Sequence, residues 1–112
     1  MEKFSRIMMG VFVKVSYTGI LFKMKNAEET MQKDLTKARL LAIINPLAIP
    51  QLNHLEEHHR IWEDMMKVVE DIVNLDWTQD ESAESKYRSL SAHWDDLMKE
   101  RDKTEKEFES LH

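Results

Sequence analysis

Chemistry needs polar side chains that converge, and in these 112 residues the five histidines are the main supply. His54-Leu-Glu-Glu-His58 has the spacing at which two histidines one helical turn apart hold zinc while the intervening Glu acts as a base. That arrangement takes a third ligand from far downstream in a large fold, which this short chain is not expected to hold. The motif therefore reads as a solvated face carrying His54, Glu57 and His58. Glu56-x-x-His59 and Glu109-x-x-His112 repeat the spacing that di-iron helical bundles use. In a hairpin folded about Trp77, however, His59 is level with Asp95 and His112 lies roughly 20 Å further along, at ~1.5 Å per residue. The two motifs share no site on that geometry. What remains is His59 at a seam position, facing His93 and Asp96 of a later helix. This is a core histidine satisfied by a carboxylate, and the three are also the candidate metal ligands. If His59 is buried and neutral, stability falls as pH drops below ~6.5. If it pairs with Asp96 as a cation, the sign reverses.

Other chemistries find no residues. The chain has no nucleophile beside a base, no glycine-rich phosphate loop and no acid pair at a forced spacing, so it reads as a non-enzyme that needs no cofactor. Eight methionines are scattered as pliable core or contact surface, too dispersed for copper. Cysteine is missing from the sequence, which removes disulfides and thiolate metal sites. That leaves the compartment open, with an intracellular one favoured.

The elements that would position these residues are helical. With 42% hydrophobic and 33% charged residues and only two Gly and two Pro, the composition favours helix over a turn-rich sheet. The longest periodic stretch is Pro50 to Leu75. Leu52, Leu55, His59, Trp62, Met66, Val69 and Val73 step by three and four along one seam. Ile61, Met65, Val68 and Ile72 sit beside it, so the apolar stripe is too wide for a single partner helix. One helix is predicted before it over 26–45, opened by Asn26 with Glu29 three residues on and stopped by Asn45-Pro46. Another is predicted after it over 79–110, opened by Thr78-Gln-Asp-Glu81. In that last helix Ala83, Tyr87, Leu90, Trp94, Leu97, Arg101, Thr104, Phe108 and Leu111 alternate by four and three. Short connections then give an all-α, up-down-up antiparallel three-helix bundle of coiled-coil type. Trp62 and Trp94 are expected inside it, and the third helix is expected to overhang by about two turns.

Charge divides the chain in two. Residues 1–25 carry five basic residues against Glu2 alone, and residues 26–112 carry eleven basic against twenty acidic. An acidic body with no basic stripe repels phosphates, which argues against nucleic acid as a partner. The basic, apolar opening reads either as a helix or as a hairpin turning at Thr18-Gly19. Its apolar run from Ile7 to Phe22 contains Lys14 and falls short of the ~20 residues a bilayer span needs. It lacks a small-residue cleavage site and reads as part of the mature chain. The expected organisation is a docking segment at 1–25 and an acidic bundle at 26–112. Val11, Phe12, Val13, Val15, Tyr17, Ile20 and Phe22, with Phe108 and Leu111, are the expected docking residues. They would meet a partner protein, a second copy of the chain, or an anionic membrane surface. Removal of 1–25 is expected to leave a folded bundle. The functional expectation is a small helical interaction or assembly subunit, with a metal- or ligand-binding sensor built on His59 and His93 as the alternative.

Overall fold

The computed structural model describes residues 2–110. It contains helix α1 (Glu2–Ile44), a single 3-10 turn (Pro46–Ala48), helix α2 (Ile49–Val73) and helix α3 (Ala83–Ser110), and no strand among the described residues. The protein is all-helical, with the three helices packed against one another.

α1 passes through both Thr18-Gly19 and Asn26 without interruption, so the hairpin reading and the predicted start at Asn26 are both corrected. The β-branched residues of the VFVKV stretch favour strands only where a sheet offers them a surface. Here the surface offered is the side of α2 and α3, and Val13 and Met24 are buried against it. The exposed Thr18 and Thr36 hydroxyls donate to the carbonyls of Lys14 and Gln32, one turn back, and so do not compete with the helix ladder. α1 ends where a residue preceding proline must become extended. Asn45 has φ −132° and ψ 102°, and its side chain accepts a hydrogen bond from Leu47 N. Pro46 then sits at the start of the 3-10 turn and Pro50 near the start of α2, where a missing N–H leaves no bond unmade.

α2 contacts both other helices, as the width of its apolar stripe requires. Its deepest residues are those beside the seam: Ile61, Met65, Val68 and Ile72 are buried together with Val69, while Trp62, Met66 and Val73 are half-buried. The strip of α2 that lies between two neighbours is covered from both sides, which is why the flank outranks the seam. Along α3 every seam residue from Ala83 to Phe108 is buried or half-buried. The polar entry Thr104 donates its hydroxyl to Glu100 O.

Two expectations change at the α2–α3 connection. It is longer than predicted, running from 74 to 82, and the Thr78 capping box is not used. Instead Asp76 Oδ1 accepts from Thr78 N at 3.0 Å, Thr78 Oγ1 at 2.6 Å and Gln79 N at 3.1 Å, and these donors hold its carboxyl below the usual range. Asp80 accepts from Lys86 Nζ and from Ser82 N and Oγ, which holds it lower still. The extra length shifts α3 along α2: Arg60 meets Glu100, His58 meets Glu105, and His54 stacks on Phe108. Asp95 is thus not level with His59, and the described part of α3 ends beside the first turns of α2 without the predicted overhang. The second change concerns tryptophan. Trp62 and Trp94 are half-buried, and the buried indole is Trp77, at 5% exposure, in the connection.

Candidate functional site

Two arrangements stand out once the fold is in place. The first is the outer face of α1. Over residues 3–24 this helix is apolar on two sides. Gly10, Val13 and Met24 are buried, and Tyr17 and Leu21 pack against the core, with the Tyr17 ring edge-on to Tyr87 at 6.0 Å. Burial, reinforced by Tyr87, pushes the Tyr17 hydroxyl up to about 12. On the other side Phe4, Met8, Val11, Phe12, Val15 and Phe22 are exposed, Phe12 at 78%. Phe4, Met8, Val11, Val15 and Phe22 fall on one heptad seam, with Thr18 completing the steps of four and three. The stripe is roughly 27 Å long at ~1.5 Å per residue. Lys14, next to Val15 in sequence, flanks the seam on one edge, while Lys25 continues its step of three beyond Phe22 and pairs with Glu70 of α2.

The docking residues expected from sequence therefore divide. Val11, Phe12, Val15, Ile20 and Phe22 are exposed, Val13 and Tyr17 face the protein's own core, and Phe108 stacks on His54 with ring centroids 4.0 Å apart. Leu111 lies outside the described residues. A second apolar patch, unremarked in the sequence, crowns the α1–α2 turn, where Leu40, Leu41, Ile43, Ile44, Leu47 and Ile49 are exposed. The signal was there in LLAIINPLAI, which has more apolar side chains than one inward face can take.

By length and composition α1 includes a stretch able to cross a membrane, of which 17% is buried inside the protein. Its inner face is packed against the end of α2 and the start of α3, which carry Lys67, Glu70, Asp71, Glu84, Lys86 and Arg88. A spanning orientation would draw those charges into hydrocarbon at several kcal/mol each, by an estimate of ~2.5 to 3.5 kcal/mol per residue.

The second arrangement is polar. His59 is the buried ionisable residue of the described part of the chain, and it faces α1 rather than α3. Its Nε2 lies 2.8 Å from Glu28 Oε1, 3.4 Å from Glu63 Oε1 and 3.1 Å from Gln32 Nε2. His93 and Asp96 are exposed on α3 and make no hydrogen bond or ion pair with it. The residues that sequence reasoning missed, Glu28 and Gln32, stand one turn apart on α1, a spacing too common to attract notice without knowledge of which way His59 turns. The face carrying His54, Glu57 and His58 is half-buried against α3 and not fully solvated, which corrects the sequence expectation. His54 stacks on Phe108, and the intervening Glu57 is engaged by Arg60 at 2.7 Å.

His58 carries a pH dependence instead. Burial lowers its pKa, His54, Arg101 and His59 add to that, and Glu105 at 3.9 Å only partly offsets it. The folded state therefore holds His58 neutral at pH values where the unfolded chain, at ~6.5, already takes up a proton. Stability should fall as pH drops below ~6.5. In urea melts between pH 5 and 7, His58→Gln should flatten this slope, and an unchanged slope would refute the assignment.

Comparison of the chain with protein-family models, with curated proteins and with solved structures found no match.

Proposed function

We propose that the protein is a small helical assembly subunit, an up-down-up bundle that takes a partner helix lengthwise along the outer face of α1. The up-down-up course is supported by the cross-helix pairs Lys25 with Glu70, Glu28 with His59 and Arg39 with Glu56 between α1 and α2, and His58 with Glu105 and Arg60 with Glu100 between α2 and α3, in which residue numbers rise on one helix as they fall on the next. The observation that carries the functional reading is the exposed heptad seam Phe4, Met8, Val11, Val15 and Phe22 on a helix whose opposite side is already packed. Leaving such a stripe in water costs free energy that a second helix recovers, at roughly 1.5 to 3 kcal/mol for each large side chain fully covered.

A different chain suits the stripe better than a second copy does. Antiparallel self-pairing about the middle of the seam would set Lys14 of one copy beside Lys14 of the other, a like-charge contact. An acidic-edged helix would meet Lys14 favourably and would also gain steering from it.

Substituting Phe4, Phe12, Val15 and Phe22 together by Ser tests this. None of the four packs inward, so thermal melting should stay within a few degrees of wild type while binding weakens by at least ~100-fold, as loss of several interface anchors predicts. Wild type purified from its native source should carry a stoichiometric protein partner that the variant lacks. Light scattering that finds a wild-type homodimer, or wild type that binds anionic vesicles and no protein, would overturn the reading in favour of a second copy or a membrane surface.

A further inference from the structure

We propose that Glu28, His59 and Glu63 form a binding site for a divalent transition-metal ion of the zinc type, joining α1 to α2. Their ligand atoms all lie within 4.8 Å of one another. His59 Nε2 faces Glu28 Oε1 at 2.8 Å, Glu63 Oε1 at 3.4 Å and the Gln32 amide nitrogen at 3.1 Å, all on the same edge of the ring. A ring nitrogen offers either one N–H or one lone pair. With the proton on, it donates to Glu28 Oε1, which Gln32 Nε2 also serves, and the buried Glu28 Oε2 is left without a donor. With the proton off, it accepts from Gln32 and turns a lone pair toward two carboxylates. Neither state gives the buried Glu28 Oε2 a partner.

A cation at the centre satisfies it. Zinc takes nitrogen and carboxylate oxygen at ~2.0 to 2.2 Å, which places tetrahedral ligand atoms ~3.3 Å apart. The two separations from His59 Nε2 bracket that spacing. Glu28 Oε2 is buried and has no hydrogen-bond partner among the described residues, so this carboxylate has a second oxygen free for the ion or its bound water. Gln32 Nε2 also donates to Glu28 Oε1 at 3.2 Å, fixing the carboxylate from outside the ligand set. The mixture of one imidazole and two carboxylates fits zinc and its transition-metal neighbours rather than calcium or magnesium, which prefer oxygen alone. Three protein ligands leave a fourth position open. Since Glu28 follows Phe22 by six residues, or ~9 Å of helix, an ion here would hold α1 against α2 just beyond the outer apolar face.

Chelator-treated full-length protein titrated with Zn2+ by calorimetry should bind one ion per chain, with a rise in melting temperature on saturation. His59→Gln and Glu28→Gln should each weaken binding by at least ~100-fold. Glu63 is exposed enough to be changed without harm to packing. Glu63→Gln should therefore weaken binding by ~10-fold or more while leaving metal-free melting unchanged, which keeps the test decisive if either buried variant fails to fold. Co2+ should give the intense visible absorption of a four-coordinate site in wild type and lose it in Glu63→Gln. The double variant His54→Gln/His58→Gln removes the neighbouring half-buried histidines and should keep wild-type affinity. Zinc affinity that survives Glu63→Gln and His59→Gln but falls in the His54/His58 variant would overturn the site, as would no saturable binding to wild type.

Discussion

Trp77→Ala should destabilise the protein by about 3 to 5 kcal/mol, the largest loss expected from any single substitution in the chain. A domain of this size has only ~5 to 15 kcal/mol in total, so the variant should lose a large fraction of its stability. The indole is buried in the connection between α2 and α3 and packs against Gly10 of α1, so its removal opens a cavity where all three helices converge. Arg6 Nε adds a hydrogen bond to Trp77 O at 3.0 Å, tying the first turns of α1 to the same loop. The ring nitrogen has no hydrogen-bond partner among the described residues, so Trp77→Phe should cost clearly less than Trp77→Ala. Gly10 gives the reciprocal test. A Cβ there would overlap the base of the indole, whereas a Cβ at Gly19 meets nothing within 4 Å. Gly19→Ala should stabilise the helix by ~0.8 to 1 kcal/mol on propensity alone. Gly10→Ala has the same propensity gain but forces the ring aside at ~1 to 3 kcal/mol, so it should lower the melting temperature. Chemical denaturation of the four variants gives the ranking, and a Gly10→Ala protein as stable as Gly19→Ala would show that the indole is not packed there.

The order in which residues became legible follows their physics. α2 and α3 were readable because each has one consistent apolar stripe: the side-by-side runs at Ile61, Met65, Val68 and Ile72, and the unbroken seam from Ala83 to Phe108, lie inward in the fold. α1 was not readable over its first half because apolar residues on two opposite faces cancel the helical period, leaving a β-branched stretch that local propensity assigns to strand as readily as to helix. Trp77 was hidden by its setting among Asp76, Thr78 and Gln79, where composition signals a solvated turn. His59 was correctly placed as a core histidine, but its direction was not determined by the seam. A residue on a helix with two neighbours can face either, and only the packing of α1 turned it toward Glu28. The α3 register slipped because the connection consumes residues up to Ser82, held by the Asp76 and Asp80 turns, which moved every level estimate along α3.

Removing residues 1–25 should abolish cooperative folding rather than release a stable bundle. The segment contributes Val13 and Met24 to the buried core, with Met9, Tyr17 and Leu21 packed against it, and it covers Trp77 through Gly10. Large apolar side chains lost from a core cost ~2 to 5 kcal/mol each, so several together exceed the stability of a domain this small. What is left of α1 would still hold Leu35 and the Arg39 pairing with Glu56, but α2 would lose the cover over its second half, where Val68, Val69 and Ile72 are buried. The expected readout is retained helical circular dichroism with loss of near-ultraviolet signal and a broad, non-cooperative melt, the behaviour of a collapsed chain without fixed packing. A truncated protein that melts sharply at the wild-type temperature would place the segment outside the core and contradict the packing of Gly10 on Trp77. Because one helix presents its inner face to the core and its outer face to solvent, deletion removes both at once, and a truncated protein that fails to bind says nothing about the outer face. Substitution at Phe4, Phe12, Val15 and Phe22 alters the outer face alone and leaves Val13, Tyr17 and Met24 in place.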